Sequence, residues 1–168
     1  MYRRTGRNWL NRSGIKVTVL TKGVYPGEIT DKEYLFDNEY GISLVSLNNG
    51  FKQRFEPFSA DYRERIDSLR KLHNAGLKTW VSIEPYPTPN LDETSFDIEH
   101  LLDKVGFVDK IVFGRLNYNV ETSKFPDAEG FYENTARTLI KFCGKNGIKY
   151  HIKHGTPYSE EKTKQIFR

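Results

Sequence analysis

The stretch DYRERIDSLRKLHNAGLKTWVSI, residues 61–83, decides the fold class of this chain. Its first part carries apolar side chains at helical spacing from Ile66 to Leu72, and Gly76 follows as a helix C-cap. A short run rich in β-branched and aromatic residues, 77–83, begins directly after that glycine and is typical of a strand buried on both faces. A helix, a glycine and an immediate strand form the joint of a repeated βα unit.

The same joint occurs twice more along the chain, at Gly106 and at Gly147. Apolar runs bounded by turn residues predict five strands, at residues 15–20, 41–47, 77–83, 110–116 and 148–152. Helical periodicity predicts helices at residues 61–74, 95–105 and 128–146, with weaker ones at 3–12, 31–36 and 159–167. Residues 119–126 are the most loop-like interior stretch.

Five successive βα units indicate parallel strands joined by right-handed crossovers. Two architectures satisfy this pattern, an open doubly wound sheet and an arc of a (β/α) barrel. A complete eight-unit barrel needs about 250 residues, and this chain has 168. We therefore predict one α/β domain over residues 1–168, folded as a partial parallel (β/α) barrel of about five βα units.

The composition permits a buried core, because 37% of the residues are hydrophobic and 14% are aromatic. The chain has 26 Lys and Arg against 22 Asp and Glu, a mild basic excess that suits either an anionic ligand or an ordinary solubilising surface. Its one cysteine, Cys143, lies on an apolar helical stripe and is expected in the core. Residues 1–11 contain no apolar run for a signal peptide or a membrane span, so we expect a cytoplasmic location.

Polar residues gather where the predicted strands end. In parallel α/β folds the carboxyl ends of the strands meet at one edge of the sheet, and ligands bind there. We therefore expect a cofactor-binding set at this edge, made of Lys22, Ser46, Asn48, Glu84, Arg115 and Asn117. Glu84 and Arg115 could instead form a plain ion pair, and Asn117 could only cap a turn. The catalytic residues are unknown.

Other residue patterns are less informative. Trp80 fits a core position better than a stacking platform. His151 and His154 have a weak metal-ligand spacing, but no cysteine or carboxylate lies close by in the sequence, and no metal site is predicted. The sequence contains no P-loop, no Rossmann glycine fingerprint, no nucleophile elbow and no zinc-site spacing.

One ordered set of segments resembles a known family. The segments are VTVLTKG (17–23), ISLVSLNN (42–49), FEPFSADYRERIDSLRKL (55–72), AGLKTWVSIEPYPTP (75–89) and VFGRLNYN (112–119). Their order and spacing resemble the second half of radical S-adenosylmethionine (SAM) enzymes of the DNA-repair-photolyase group, the relatives of spore photoproduct lyase. The resemblance covers most of residues 15–119.

The resemblance implies roles for several residues. Lys22 and Ser46 would lie beside the methionine or ribose part of SAM, and the loop after Glu84 would close over the adenine. Glu56 and Arg65 match the Glu-Pro and Arg positions of the group, although they could equally be a structural pair. The family also binds a [4Fe–4S] cluster through a C-x3-C-x2-C motif.

This chain departs from the family at the cysteine motif, because three thiolates are needed and the sequence has one cysteine. The first two strands of the family barrel also have no counterpart in the sequence. We therefore expect a truncated or split radical SAM-type barrel that is inactive alone, with a remnant SAM cleft. Its expected partner is an N-terminal half or a second copy, paired through an exposed sheet edge.

Two alternatives remain open at this stage. The first is a stand-alone basic α/β domain that binds nucleic acid or phosphate ligands, which the basic excess would favour. The second is a small hydrolase or isomerase with Glu84 as general base, for which no second catalytic group is identifiable.

Overall fold

A computed structural model describes residues 10–11, 13–30 and 38–158 of the chain. The strands are β1 (Thr18–Thr21), β2 (Glu39–Ser43), β3 (Lys78–Tyr86), β4 (Lys110–Arg115) and β5 (Lys149–Ile152). The helices are α1 (Asn49–Phe55), α2 (Tyr62–Asn74), α3 (Ile98–Val105), α4 (Val120–Ser123) and α5 (Ala128–Asn146), with 3₁₀ turns at Gly27–Thr30 and Glu93–Phe96. The weaker helices predicted at 3–12, 31–36 and 159–167 lie outside the described residues, except for Leu10 and Asn11.

The five strands form one sheet in the order β1-β2-β3-β4-β5, and every neighbouring pair is parallel. Strands that are adjacent in sequence are therefore adjacent in space, as in an arc of a (β/α) barrel. This confirms the predicted fold class. The register aligns Gly41 with Trp80, Trp80 with Lys110, and Lys110 with Lys149.

One face of the sheet is covered by helices and holds the core. Alternate strand residues on this face are fully buried, among them Ile42, Val81, Ile83, Ile111 and Phe113. Helix α2 packs against β2 and β3, α5 packs against β4 and β5, and α3 packs against α5. Burial of apolar surface, worth roughly 25 cal/mol per Å², is the main force that holds this layer together.

The opposite face, here called the inner face, carries the alternate residues of the same strands, including Leu20, Trp80, Glu84, Lys110 and His151. It is much less buried, since Leu20 is 50% exposed and His151 is exposed. In a closed barrel this face would be filled by side chains from all the strands. In the described residues it is only partly covered, since Ser43 and Ser82 are buried while Leu20 and His151 are exposed.

Local capping explains where the helices begin and end. Asp61 and Glu64 form a capping box at the start of α2, and Gly147, in a left-handed conformation, ends α5. Helix α3 begins three residues later than predicted, because Asp97 caps it after a separate 3₁₀ turn. The stretch 119–126 was predicted to be a loop, but it contains α4, which begins at the side-chain cap of Asn119.

Two strands end more than one residue away from their predicted ends. The second strand was predicted to run to residue 47, but its ladder ends at Ser43, after which only the Leu44 amide still bonds to the Ser82 carbonyl. The third strand was predicted to stop before Pro85, but it continues to Tyr86 across an irregularity in its register with β4. Proline is tolerated at such a bulge because its missing N–H is not needed there.

No helix in the described ranges is long and apolar enough to cross a bilayer.

Candidate functional site

The six residues predicted from the strand ends all follow or end strands at the carboxyl edge of the sheet, because every strand runs in the same direction. They do not form a single contact network. Four of them fall into three groups, which contain Glu56, Asp92 and Lys153, and the other two line a separate cavity.

The first group links Lys22 to a buried ion pair. The Nζ of Lys22 lies 2.7 Å from one carboxylate oxygen of Glu56, and the Nη1 of Arg65 lies 3.2 Å from the other. Arg65 is 1% exposed as a whole residue, and its Nη1 also donates to the Ser43 carbonyl at 2.7 Å. The Lys22 side chain remains 48% exposed. A buried pair therefore holds a lysine whose ammonium still reaches solvent at the carboxyl edge.

The second group joins the ends of β2 and β3. The backbone N–H of Asn48 donates to the Ser46 hydroxyl at 2.9 Å, and the side-chain Nδ2 of Asn48 donates to Oδ1 of Asp92 at 3.1 Å. Asp92 is buried. Sequence reasoning missed Asp92, although the Asp-x-Thr pattern of residues 92–94 is a signal for an Asx turn.

The third group surrounds Glu84. Its carboxylate lies 3.4 Å from the Nζ of Lys153, which follows β5. Gly114 of β4 makes this pair possible, because a Cβ at that position would lie 2.9 Å from the Glu84 side chain. Among the described contacts Glu84 forms no ion pair with Arg115, so the sequence-based alternative of a Glu84–Arg115 pair is wrong.

Arg115 and Asn117 line a cavity of about 350 Å³ beside the end of β4. The Arg115 amide donates to the Thr156 hydroxyl at 3.1 Å, and its Nε is buried without a hydrogen-bond partner among the described residues. Asn117 is exposed. Thr156 was not anticipated, since its role depends on a loop that follows the last strand.

Trp80 lies on the inner face and is half-buried, so the prediction that it belongs to the core is wrong. Its ring packs against Gly41 of β2, and the Nζ of Lys110 lies 5.2 Å from the ring centroid. The inner face therefore presents an aromatic surface next to a cation.

Cavities lie at both ends of the sheet. One of about 460 Å³ lies at the amino edge, between the αβ joints at 106–110 and 146–149. One of about 310 Å³ lies near the carboxyl edge, beside Ser46. Although the first is larger, we favour the carboxyl edge as the functional one. Helix N-termini and the loops after the strands point there in parallel α/β folds.

The described residues do not fit an iron–sulfur cluster. Cys143 is fully buried on α5, and burial raises the pKa of its thiol from the ordinary value of 9.0 to about 12. A cluster needs several accessible thiolates. The described part of the chain also contains no group of three or more His, Cys, Asp or Glu side chains that could hold a metal ion.

Comparisons with known proteins support the fold. A structure of spore photoproduct lyase complexed with dinucleoside spore photoproduct matches 86% of this chain, with a TM-score of 0.57 and 13% sequence identity. The protein named "Uncharacterized protein MJ0683" from Methanocaldococcus jannaschii is 31% identical over 64 residues. No protein-family model matches the chain.

This chain has the fold of part of the spore photoproduct lyase structure. It spans 51% of the lyase structure and 23% of the Methanocaldococcus protein. At 13% identity the structural match establishes the arrangement of strands and helices, and it carries no information about individual site residues.

Proposed function

We propose that this chain forms part of the barrel of a radical SAM-type enzyme and that its carboxyl edge contributes to binding of SAM. The observation that carries the proposal is the match of 86% of the chain to the fold of spore photoproduct lyase. The position of the candidate residues at the edge where parallel barrels bind ligands gives additional support.

In this proposal the cluster is held by another polypeptide segment, since Cys143 is buried and the sequence has no second cysteine. When bound, a [4Fe–4S] cluster supplies the electron that cleaves SAM. The role of the described residues is to bind and orient SAM and to line the cleft. The chain alone is then expected to be inactive.

Lys22 is the best candidate for contact with an anionic part of the ligand. An ammonium group has three N–H donors, and Glu56 receives one of them at 2.7 Å. The Glu56–Arg65 pair restrains the lysine, so less side-chain entropy is lost when a ligand carboxylate binds. This arrangement supports a carboxylate-binding role at the end of β1.

The sheet also offers a place for the partner. Strands β1 and β5 are the outer strands of the described sheet, and β1 carries the half-exposed Leu20 on the inner face. Edge strands pair readily with other chains. We propose that a cysteine-bearing segment, or a second copy of this chain, adds to this edge and covers the inner face.

Calorimetric titration of SAM into the protein tests the ligand proposal. We expect weak binding to the wild type and about tenfold weaker binding to Lys22→Ala, the loss typical of one charge-assisted hydrogen bond. Ser46→Ala should also weaken binding. The matched control is Lys141→Ala, an exposed lysine on α5, which should bind SAM as the wild type does. Absent binding, or equal binding by all four proteins, would remove the SAM site and leave the fold.

The inner face gives some support to a second candidate function, binding of nucleic acid or another phosphate ligand. Lys110 and Lys149 are in register on this face beside Trp80, and Lys153 lies at its carboxyl end. Cations next to an aromatic ring suit single-stranded nucleic acid. Oligonucleotide binding that weakens steeply with salt, and that is reduced in Lys149→Ala, would favour this function. Binding independent of salt would argue against it.

A further inference from the structure

A partly buried arginine at the end of β4 has no counter-ion in the described structure. The backbone N–H of Arg115 donates to the Thr156 hydroxyl at 3.1 Å, but its guanidinium forms no ion pair and no hydrogen bond within the described part of the chain. Its Nε is buried, whereas the two Nη groups remain accessible. A partly buried charge without a partner is unfavourable and calls for an explanation.

Arg115 points to the helix side of the sheet and not to the inner face. A Cβ on the preceding residue, Gly114, would meet the side chain of Glu84, which lies on the inner face. Successive strand residues point to opposite faces, so Arg115 points toward α5, and Tyr132 of that helix lines the same cavity as Arg115. The sheet therefore separates Arg115 from the inner face.

The cavity beside Arg115 has a volume of about 350 Å³ and lies between residues 115–123 and the start of α5 at residues 128–132. Its volume lies at the lower end of the range of about 300–1,000 Å³ that is typical of small-molecule sites. The apolar residues Leu116 and Ala128 also line it. An unpaired cation therefore borders a space that is large enough for a small ligand.

The neighbouring groups in this lining do not neutralise the arginine. Burial raises the pKa of the Tyr132 hydroxyl, which donates to the Tyr86 carbonyl at 2.9 Å and accepts from the Leu116 amide at 3.1 Å. That hydroxyl therefore stays neutral. Glu129 also lines the cavity, but it is exposed and lies in no described ion pair with Arg115. The missing counter-ion must therefore come from outside the described residues.

The charges of the lining favour a monoanion. A guanidinium has only donors, and its planar fork fits the two oxygens of a carboxylate. Phosphate and sulfate present similar oxygens, but the single cation at Arg115 does not balance two negative charges. The carboxylate of Glu129 in the same lining also repels a dianion more strongly than a monoanion.

We propose that this cavity binds a small carboxylic acid as its carboxylate, held by the Nη groups of Arg115, with its alkyl part beside Leu116 and Ala128. The proposal goes beyond the SAM-binding role of the carboxyl edge and does not rest on it. Neither Lys22 nor Ser46, the residues that test the SAM proposal, lines this cavity. The failure of one proposal can therefore be distinguished from the failure of the other.

The first test compares butyrate, 1-butanol and sulfate on the wild type at constant ionic strength. Butyrate should cause saturable changes in amide chemical shifts, confined to residues around the cavity. Its affinity should exceed that of butanol by about tenfold or more, the effect of charge-assisted hydrogen bonds, and should also exceed that of sulfate. Equal binding of butanol or of sulfate would overturn the proposal. Absence of localised shifts would also overturn it, because water alone would then solvate the guanidinium.

The second test replaces the arginine. Arg115→Met removes the charge and keeps most of the length of the side chain, so butyrate should bind about tenfold or more weakly. The melting temperature should stay the same or rise, because a buried Nε without a partner is removed. The matched control is Arg54→Met, an exposed arginine on α1, which should bind butyrate as the wild type does. Unchanged butyrate affinity in Arg115→Met would overturn the proposal, and a lowered melting temperature in the same variant would then identify Arg115 as structural.

The third test uses Glu129→Gln, which changes an exposed residue and keeps the proposal testable if Arg115→Met fails to fold. Removal of this carboxylate should strengthen butyrate binding and should strengthen sulfate binding more, so that the preference for butyrate narrows. If butyrate and sulfate bind to Glu129→Gln as they bind to the wild type, the anion does not occupy the cavity that Glu129 lines, and the proposed site is wrong.

Discussion

The indole ring of Trp80 lies directly against Gly41 on the neighbouring strand. A Cβ placed on residue 41 would be 2.3 Å from Cε2 of the ring, far closer than any real contact. The two residues are aligned in the register of β2 and β3, so the ring covers the backbone of its partner strand. The absence of a side chain at Gly41 therefore determines how Trp80 lies on the inner face.

The first prediction concerns this contact. Gly41→Ala should destabilise the protein by about 1–3 kcal/mol, since overpacking forces the indole or the strand to move. Urea unfolding followed by circular dichroism measures the change. In a Trp80→Val background the same substitution should have almost no cost, and this coupling identifies the ring as the cause.

Gly27→Ala is the matched control. No atom lies within 4 Å of the position that its Cβ would occupy, and its backbone is not in the left-handed region. We expect a change within about 0.5 kcal/mol. Equal effects at Gly27 and Gly41 would show that the loss of glycine flexibility, and not the contact with Trp80, is responsible.

The second prediction concerns the buried ion pair. Glu56→Gln should destabilise the protein by about 3–5 kcal/mol, because the guanidinium of Arg65 would remain buried without its carboxylate. Lys22→Ala removes the exposed partner of the same carboxylate and should cost less than about 1 kcal/mol. Denaturant midpoints show which of the two variants loses more stability. A larger loss in Lys22→Ala than in Glu56→Gln would contradict this account.

The sequence predicted the five strands and the three long helices because their apolar periodicity is strong. It failed where tertiary contacts decide the outcome. The third strand continues through Pro85 because its pairing with β4 shifts register there. In the sequence alone, a proline predicts the end of a strand. Helix α1 was missed because its seven residues are too few to show a periodic pattern, and only the cap at Asn48 marks its start.

The candidate site was predictable only in its location. Parallel strands bring their carboxyl ends together, and this rule led to all six residues. Partners such as Asp92, Lys153 and Thr156 were not predictable, because each comes from a distant part of the chain. Glu84 on β3 reaches Lys153 across β4 at the position of Gly114. Sequence spacing does not show that the missing side chain at Gly114 leaves room for this contact.

The third prediction concerns self-association. The inner face exposes Leu20 at the outer strand β1, so the isolated chain should associate as its concentration rises. Leu20→Lys should shift sedimentation velocity profiles toward the monomer, because a charge on the edge opposes pairing. Leu139, by contrast, is buried on α5 and is not available for such a contact. If both the wild type and Leu20→Lys are monomeric at high concentration, the proposal that the chain associates through the β1 edge is contradicted.

The fourth prediction concerns iron. Anaerobic reconstitution with iron and sulfide should give far less than one [4Fe–4S] cluster per chain, because the only thiol is buried and protonated. Iron and sulfide assays after gel filtration measure the yield. Cys143→Ala should give the same low yield, and a stable stoichiometric cluster in the wild type would contradict the proposal that another segment holds it.

The last prediction concerns stability at high pH. Burial raises the pKa of the Cys143 thiol to about 12 in the folded protein, from an ordinary value of 9.0 that applies to the unfolded chain. Below pH 9 both states carry the protonated thiol, and its contribution to stability is fully present. Between pH 9 and 12 only the unfolded state ionises, so stability falls by up to about 1.4 kcal/mol per pH unit.

Cys143→Ala tests this assignment, because the alanine cannot ionise. Burial also raises the pKa of Tyr86 and of Tyr132, so both proteins should lose some stability in alkaline solution. The free energy of unfolding, measured in urea at intervals from pH 8 to 11 (roughly the window set by the thiol), should fall more steeply for the wild type than for Cys143→Ala. Parallel curves would show that the thiol does not remain protonated in the folded state, and the core position of Cys143 would then need to be revised.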